Sequence, residues 1–420
     1  MSDLRARLGA LQHQSGVSGG IDDAGGSTDC VDALRHRLQR VGAGRRRRTP
    51  RRKRISDEML AARLGGRVVR DGVILIHERL PVDAVHGAFP LADSALHQGL
   101  SLCIGADIEA PRACILMDTE TTGLAGGTGT LVFLLGMARF SDGALEIDQL
   151  FLTGFQGESA MLDEAREYLR GADTLVTFNG RSFDSPLLAA RYRLSALRDP
   201  FAEFHHVDLL HVTRRTFKNK WPDCRLQTAE RRLLGVQRIG DLPGSEAPRA
   251  WFEWVRHGCD DGLSAVCSHN RLDLLSLAVL PAALQRSHDD PIAAGANVLA
   301  CARHYSHARG HGPDRAAGDQ EAFEYLQRHR RHLETEGLLE LAWLARRRRE
   351  WNLAVELWEQ LAGAGVSGAI EHLAKYYEHE KRDYERALQV TSRLLACAPH
   401  DGQHRRRDAR LRARLAARRC

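Results

Sequence analysis

The chain of 420 residues has 43% hydrophobic residues and a formal net charge of +6, enough apolar material for a sizeable core and for two or three domains. Its longest apolar stretches, such as Leu131 to Leu135, fall far short of a bilayer span, and the N-terminus shows no apolar signal-peptide region, so no membrane segment is expected. Nine cysteines without a C-x-x-C pair argue against a disulfide scaffold or a zinc site and suit a reducing, cytoplasmic location.

Residues 1–56 are rich in Gly, Ser and Arg with little periodicity, and read as a disordered basic N-terminal region. Within it, "GRRRRTPRRKR" (44–54) has eight basic and no acidic side chains. Residues 57–110 form a lead-in, a short helix followed by extended segments in "GRVVRDGVILIHERL". Residues 111–285 alternate strands and helices. Strands are expected at 113–118, 131–140, 145–152 and 173–178, and helices at 158–170, 186–196, 226–234, 248–257 and 261–280. "SDGALE" between the second and third strands is a hairpin signal. An antiparallel meander followed by strand–helix alternation implies an α/β sheet with helices packed on it.

Residues 286–400 are helical in texture. "LAWLARRRREWNLAVELWEQLA" (341–362) aligns with "LAKYYEHEKRDYERALQVTSRLLA" (373–396), pairing Leu341 with Leu373, Ala354 with Ala387 and Leu361 with Leu394. The offset approaches the ~34 residues of a tetratricopeptide-like helix pair, but two clear copies are fewer than the ~3 that a free-standing solenoid needs. Either a helix at 321–333 supplies a further element or the pairs pack on the α/β domain, and the repeats are also a candidate surface for a protein partner. Residues 401–420 form a basic tail, in which 405–419 carry eight Arg and one Asp. Basic ends on an otherwise acidic body suit phosphates and divalent cations respectively, although both ends also read as solvated tails.

Four carboxylates stand out in the α/β region. In "ILMDTETTGL" (115–124), Asp118 and Glu120 are two apart on a strand and so share a face. "LVTFNGRSFDSPLLAARY" (175–192) is a strand, a Gly turn and a helix, with Asp184 at the junction. "SHNRLDLLSLAVL" (268–280) is a helix with His269 and Asp273 four apart, on one face. Converging at one pole of a sheet, the four acids would repel one another strongly unless cations neutralised them. Mg2+ and Mn2+ favour such oxygen ligands. Two such ions ~3.5–4 Å apart activate water and stabilise the leaving oxygen of a phosphodiester.

The order D-x-E, NGxxFD, H-N-x-x-D resembles the DEDD superfamily of 3′–5′ exonucleases on a ribonuclease-H-like fold. The wording "DTETTGL…GGTGT…TFNGRSFDSPLL…HNRLDLLSLA" looks most like the YprB-type ribonuclease-H-like domain, related to the proofreading domains of family B polymerases. The resemblance covers about 111–285. It implies a mixed sheet flanked by helices, followed here by a C-terminal all-α helical-repeat region. It implies two Mg2+ or Mn2+ ions held by Asp118, Glu120, Asp184 and Asp273, with His269 as general base. The substrate would be DNA or RNA entering by a single-stranded 3′ end, contacted by Thr119, Asn179 and Phe183. The third motif departs from the family pattern, pairing a His with the spacing usual for Tyr. A His can accept a proton near neutrality, whereas Tyr mainly orients water.

Blander readings stand beside these. Asp118 and Glu120 also read as a polar strand end, Asp184 as a cap before Ser185-Pro186, and Asp273 as a solvated helix position, although its leucine neighbours indicate burial. Asp208, in "HHVDLLHVTRRTF" (205–217), reads as a hydrogen-bonding residue beside the site rather than part of a metal cluster with His205, His206 and His211. "GGTGT" (126–130) lacks the GK[ST] of a phosphate loop and reads as a turn near the site. Asn179 and Phe183 fit turn chemistry and core packing equally well. The leading expectation is a two-metal 3′–5′ exonuclease; the alternative is a non-catalytic nucleic-acid binder or scaffold acting through its helical repeats.

Overall fold

The computed structural model describes residues 54–104, 113–123, 129–308 and 314–419. Residues 44–53 of the basic arm and the first three of "GGTGT" lie outside the described residues. Helix α1 (Asp57–Leu64) starts where the Ser56 side chain accepts from Met59 N–H at 3.3 Å and stops at Gly65, whose φ of 74° closes the last turn. It is followed by β1 (Arg67–Arg70), β2 (Val73–Pro81), the small pair β3 (Val85–His86) and β4 (Phe89–Pro90), and α2 (Asp93–Ile104). Next come β5 (Cys114–Thr121), β6 (Val132–Ser141), β7 (Ala144–Leu152), α3 (Glu158–Tyr168), β8 (Thr174–Thr177) and α4 (Asp184–Leu194). The α/β part ends with β9 (His205–Asp208), α5 (Leu209–Phe217), α6 (Leu226–Ala229), α7 (Ala247–His257) and α8 (Leu263–Asp289).

Seven strands form one mixed sheet in the order β1-β2-β7-β6-β5-β8-β9. The run from β1 to β5 is antiparallel, while β8 and β9 lie parallel to β5 and are reached by helical crossovers. This is the ribonuclease-H-like mixed sheet, flanked by helices, that the motifs implied. The β6–β7 hairpin turns on Asp142-Gly143, whose φ angles of 47° and 71° suit a primed two-residue turn. Residues 67–81, set apart as a lead-in by the sequence reading, supply two strands of the same sheet, and β2 pairs with β7 along its whole length. Their half-buried alternation is that of an outer strand, which is why they carry little signal alone.

Alternation along β5 divides the core. Ile115 and Met117 face α3, α4 and α7, where Trp251 and Trp254 are fully buried and their indole N–H groups donate to Leu152 O at 2.7 Å and Thr153 O at 2.9 Å. Cys114 and Leu116 face α2 and α8. Each fully buried Leu or Phe contributes roughly 1.5–3 kcal/mol, so α8, apolar over most of its 27 residues, is a principal source of stability. The helix was expected to stop at 280 but continues through Pro281 to Asp289. Gly99 of α2 packs there against backbone: a Cβ at 99 would come within 2.1 Å of the Pro281 carbonyl carbon.

The C-terminal region is helical throughout its described residues: α9 (Val298–Ala308), α10 (Asp314–Arg328), α11 (Thr335–Arg347), α12 (Trp351–Gly363), α13 (Ser367–Lys375), α14 (Tyr384–Cys397) and α15 (Gly402–Arg419). The two aligned copies are the pairs α11/α12 and α13/α14. Leu341 and Leu373, Ala354 and Ala387, and Leu361 and Leu394 are all buried. These residues share one continuous core with Leu274, Leu277 and Leu280 of α8, so the repeats pack as an extension of the α/β core. The basic tail is helix α15. Leu411 is buried, and Arg410 donates to both carboxylate oxygens of buried Glu378 at 2.7 and 3.0 Å. Among the described residues no helix is long and apolar enough to cross a membrane.

Candidate active site

The parallel strands β5, β8 and β9 end at one pole of the sheet, the edge at which open α/β sheets gather ligands. The turn after β8 is built there. Asn179 takes a left-handed φ of 70°, and buried Asp208 at the end of β9 accepts from the N–H groups of Asn179 (2.7 Å), Arg181 (3.1 Å) and Leu210 (3.0 Å). Asp208 thus ties β9 to the turn that launches α4, the supporting role expected of it. Asp184 opens α4 and its carboxylate accepts from the Thr119 hydroxyl. The Asn179 N–H is spent on Asp208 and the Thr119 hydroxyl on Asp184, whereas Phe183 is 55% exposed at the rim.

Helix α8 brings the second half. It lies over β5 and β6 because Asn270 occupies the space above Gly136, directly opposite Asp118 in the sheet; a Cβ at 136 would come within 2.1 Å of Asn270 Oδ1. Asn270 Nδ2 donates to Asp118 Oδ2 at 2.8 Å and to Asp118 O at 3.1 Å. Gln149 on β7 completes the row, donating to Asn270 Oδ1 at 2.7 Å and to Cys267 O at 2.8 Å. With that register set, His269 and Asp273 face the β5 carboxylates. His269 Nε2 is 3.9 Å from Glu120 Oε1 and 3.7 Å from Asp273 Oδ2.

The carboxylates are electrostatically frustrated. Burial, then the charges of Asp273, Glu120 and Asp184, holds Asp118 well above the usual carboxylate range. Glu120 is pushed up to about 8 by burial first and then by Asp273, Asp184 and Asp241. Asp184 rises to about 6, mainly through burial and despite its hydrogen bond from Thr119. Asp273 is also raised by burial, although Arg238 and His269 pull the other way. Hard, oxygen-rich donors that cannot all stay charged together suit a divalent cation such as Mg2+ or Mn2+. Asp118, Asp184 and Asp273 are turned onto Asn270, Thr119 and Arg238, and among the described residues no group of three or more His, Cys, Asp or Glu stands as a ready cage.

One of those partners is a cation of the chain itself. Arg238, almost fully buried, donates to Asp273 Oδ1, to Asp241 Oδ2 at 3.0 Å and to Glu230 Oε2 at 2.7 Å. Glu230, buried on the π-helical turn Glu230–Leu234 that continues α6, also accepts from the Ser276 hydroxyl. Asp241 Oδ2 lies 2.8 Å from His269 Nδ1. Sequence reasoning missed Arg238, Glu230, Asp241 and Gln149, and placed Asn270 in the H-N-x-x-D motif without giving it a role. The "GDLPG" turn (240–244) was the one signal available for Arg238 and Asp241.

The mixed sheet, with buried and half-buried carboxylates gathered at the carboxyl ends of its parallel strands, is that of a ribonuclease-H-like domain. A family model described as RNase_H_2 of the RNase_H superfamily matches residues 115–285. The chain is also 32% identical over 350 residues to the Bacillus subtilis (strain 168) protein described as uncharacterized protein YprB, covering 79% of this chain and 82% of that one. It belongs to the YprB family. Among solved structures it is similar to a family B DNA polymerase from Pyrobaculum calidifontis, at 15% identity and a TM-score of 0.34, over 58% of this chain and 30% of the polymerase.

Proposed function

We propose that this protein is a metal-dependent 3′–5′ exonuclease that hydrolyses phosphodiester bonds of single-stranded DNA or RNA. The observation that carries the reading is the cluster of Asp118, Glu120, Asp184 and Asp273, all raised by burial and the first three raised further by neighbouring carboxylates, with His269 Nε2 within 4 Å of two of the four. The four carboxylates would hold two Mg2+ or Mn2+ ions, which supply charge neutralisation of the phosphate and polarisation of water. His269 takes a proton from the attacking water at Nε2. The water oxygen bonds to phosphorus, the bond to the 3′-oxygen of the preceding nucleotide breaks, that oxygen takes up a proton from solvent and leaves as a hydroxyl, and His269 returns its own proton to solvent. The products are a nucleoside 5′-monophosphate and a strand one unit shorter. Asn270 and Thr119 orient Asp118 and Asp184. Asn179 and Phe183 line the approach to the 3′ end, and the reaction is cytoplasmic.

One observation favours a second reading. Arg238 already neutralises Asp273, as it would in a non-catalytic nucleic-acid-binding domain that never loads metal. Incubation of the purified chain with 3′- or 5′-labelled single strands of DNA and RNA, in Mn2+ or EDTA, separates the two. Exonuclease action releases labelled mononucleotide at once from the 3′-labelled strand and gives a descending ladder from the 5′-labelled one, in Mn2+ only. Retention of the strands without cleavage, in Mn2+ as in EDTA, establishes the binder.

A further inference from the structure

We propose that Asp241 is a positioning residue that holds His269 in the tautomer with its proton on Nδ1, leaving the Nε2 lone pair facing the carboxylate cluster. The proposal rests on the nuclease reading of the site, in which Nε2 receives the proton of the attacking water. Asp241 lies outside the four carboxylates of the motif set, on the segment between α6 and α7. That segment folds round the imidazole. Gly240, at a left-handed φ of 71°, turns the chain between Arg238 and Asp241. Asp241 Oδ2 then sits 2.8 Å from Nδ1, and Gly244 passes by the other ring nitrogen.

The hydrogen-bond chemistry selects the tautomer. Asp241 Oδ2 accepts from Arg238 Nη1 at 3.0 Å, and an oxygen accepting from a guanidinium presents itself to Nδ1 as an acceptor too. Nδ1 must then be the donor and, in the neutral ring, Nε2 the acceptor. The competing arrangement has Nδ1 accepting from Arg238 Nη1, but that separation is 3.3 Å against 2.8 Å to Asp241. Arg238 is itself fixed by buried Glu230, so Asp241 is held from behind. A second feature keeps Nε2 open. Gly244 has no side chain, and a Cβ added there would lie 3.5 Å from Nε2, in ordinary van der Waals contact, where a water would otherwise approach. Gly244→Ala is therefore compatible with the fold yet shades the nitrogen.

The test is a long-range proton–nitrogen correlation spectrum of the full chain labelled with 15N-histidine, recorded where imidazole is neutral. The His269 signals are those missing from His269→Gln. The expected wild-type pattern is a protonated Nδ1 and an unprotonated Nε2, retained in Asp241→Glu and lost or mixed in Asp241→Asn. On a labelled strand, kcat should fall roughly 10–100-fold in Asp241→Asn, the usual scale for losing the partner that orients a functional imidazole, with KM unchanged and partial recovery in Asp241→Glu. Gly244→Ala should lower kcat with the nitrogen pattern intact. A wild-type His269 protonated on Nε2 overturns the proposal, and so does an Asp241→Asn variant with unaltered pattern and turnover. If Asp241→Asn does not fold, the wild-type spectrum alone decides. A wild type that cleaves no strand sinks the nuclease reading, while the nitrogen pattern still decides whether Asp241 sets the tautomer.

Discussion

Asn270 Nδ2 stands 2.8 Å from Asp118 Oδ2, and the same side chain fills the gap above Gly136 on the neighbouring strand. One amide therefore sets the register of α8 on the sheet and the orientation of the first carboxylate. Asn270→Ala strips Asp118 of a donor and leaves the buried Gln149 amide short of an acceptor. A loss of about 1–3 kcal/mol is expected for the stranded groups, with a larger proportional loss of activity. Gly136→Ala forces the same amide aside and should reproduce the activity defect. Thermal melts and cleavage rates of the two variants check this; an active Gly136→Ala would show that Asn270 does not govern the site.

The raised carboxylates make a signed prediction for pH. Glu120 moves from 4.5 to about 8 and Asp184 from 3.8 to about 6 on folding, so across that window the metal-free folded chain binds more protons than the unfolded one. Stability contributed by these groups is full below about pH 4, falls as pH rises, and is lost above about pH 8. Glu120→Gln should melt higher than wild type at alkaline pH without metal, and the advantage should vanish in acid or in saturating Mn2+. Bound metal should stabilise wild type by about 2.7 kcal/mol at a hundredfold excess over Kd. Differential scanning calorimetry at several pH values reads both; a Glu120→Gln variant less stable at every pH contradicts the frustration described above.

How much of this was legible in the sequence depends on periodicity. Asp118 and Glu120 are visible because they end an apolar strand two residues apart, and His269 and Asp273 because a helix puts positions four apart on one face. Arg238 and Asp241 sit on an aperiodic segment, and only folding brings them to residues roughly 30 positions away. Gln149 and Gly136 read as an unremarkable polar and a small residue within strands. Their meaning lies in the cross-strand register that aligns them with Asp118. The outer strands β1 and β2 were recognised as extended but not as part of the sheet, since pairing between β2 and β7 leaves no local trace. The tail shows charge in the sequence, while the buried Glu378 that holds it, on the turn between α13 and α14, lies some 30 residues earlier.

Arg238 ties Asp273 to Glu230, and Glu230 is almost completely buried. Arg238→Met leaves that acid without its charge partner and should destabilise the protein by about 3–5 kcal/mol. The double variant Arg238→Met with Glu230→Leu should recover much of the loss. Urea unfolding of the single and double variants measures it; a single variant as stable as wild type would mean the pair is solvated in solution.

The two kinds of arginine on α15 should separate. Arg410 and Arg407 serve Glu378, so Arg410→Ala should loosen the helical region without changing how salt affects strand binding. Neutralising the exposed Arg406 and Arg412, the latter paired within the helix to Asp408, leaves the helix in place. If they grip a single strand, the slope of log K against log salt should flatten by about 0.7 for each phosphate released from an arginine. An unchanged slope assigns them to solvent.

The most direct measurement is calorimetric titration of Mn2+ into the purified chain and into its Asp118→Asn and Glu120→Gln variants. Two bound ions are expected for the wild type, with binding abolished or reduced to one weak site in each variant. Absence of binding to the wild type at millimolar Mn2+, or equal binding in all three proteins, would contradict the assignment of the four carboxylates as the metal centre.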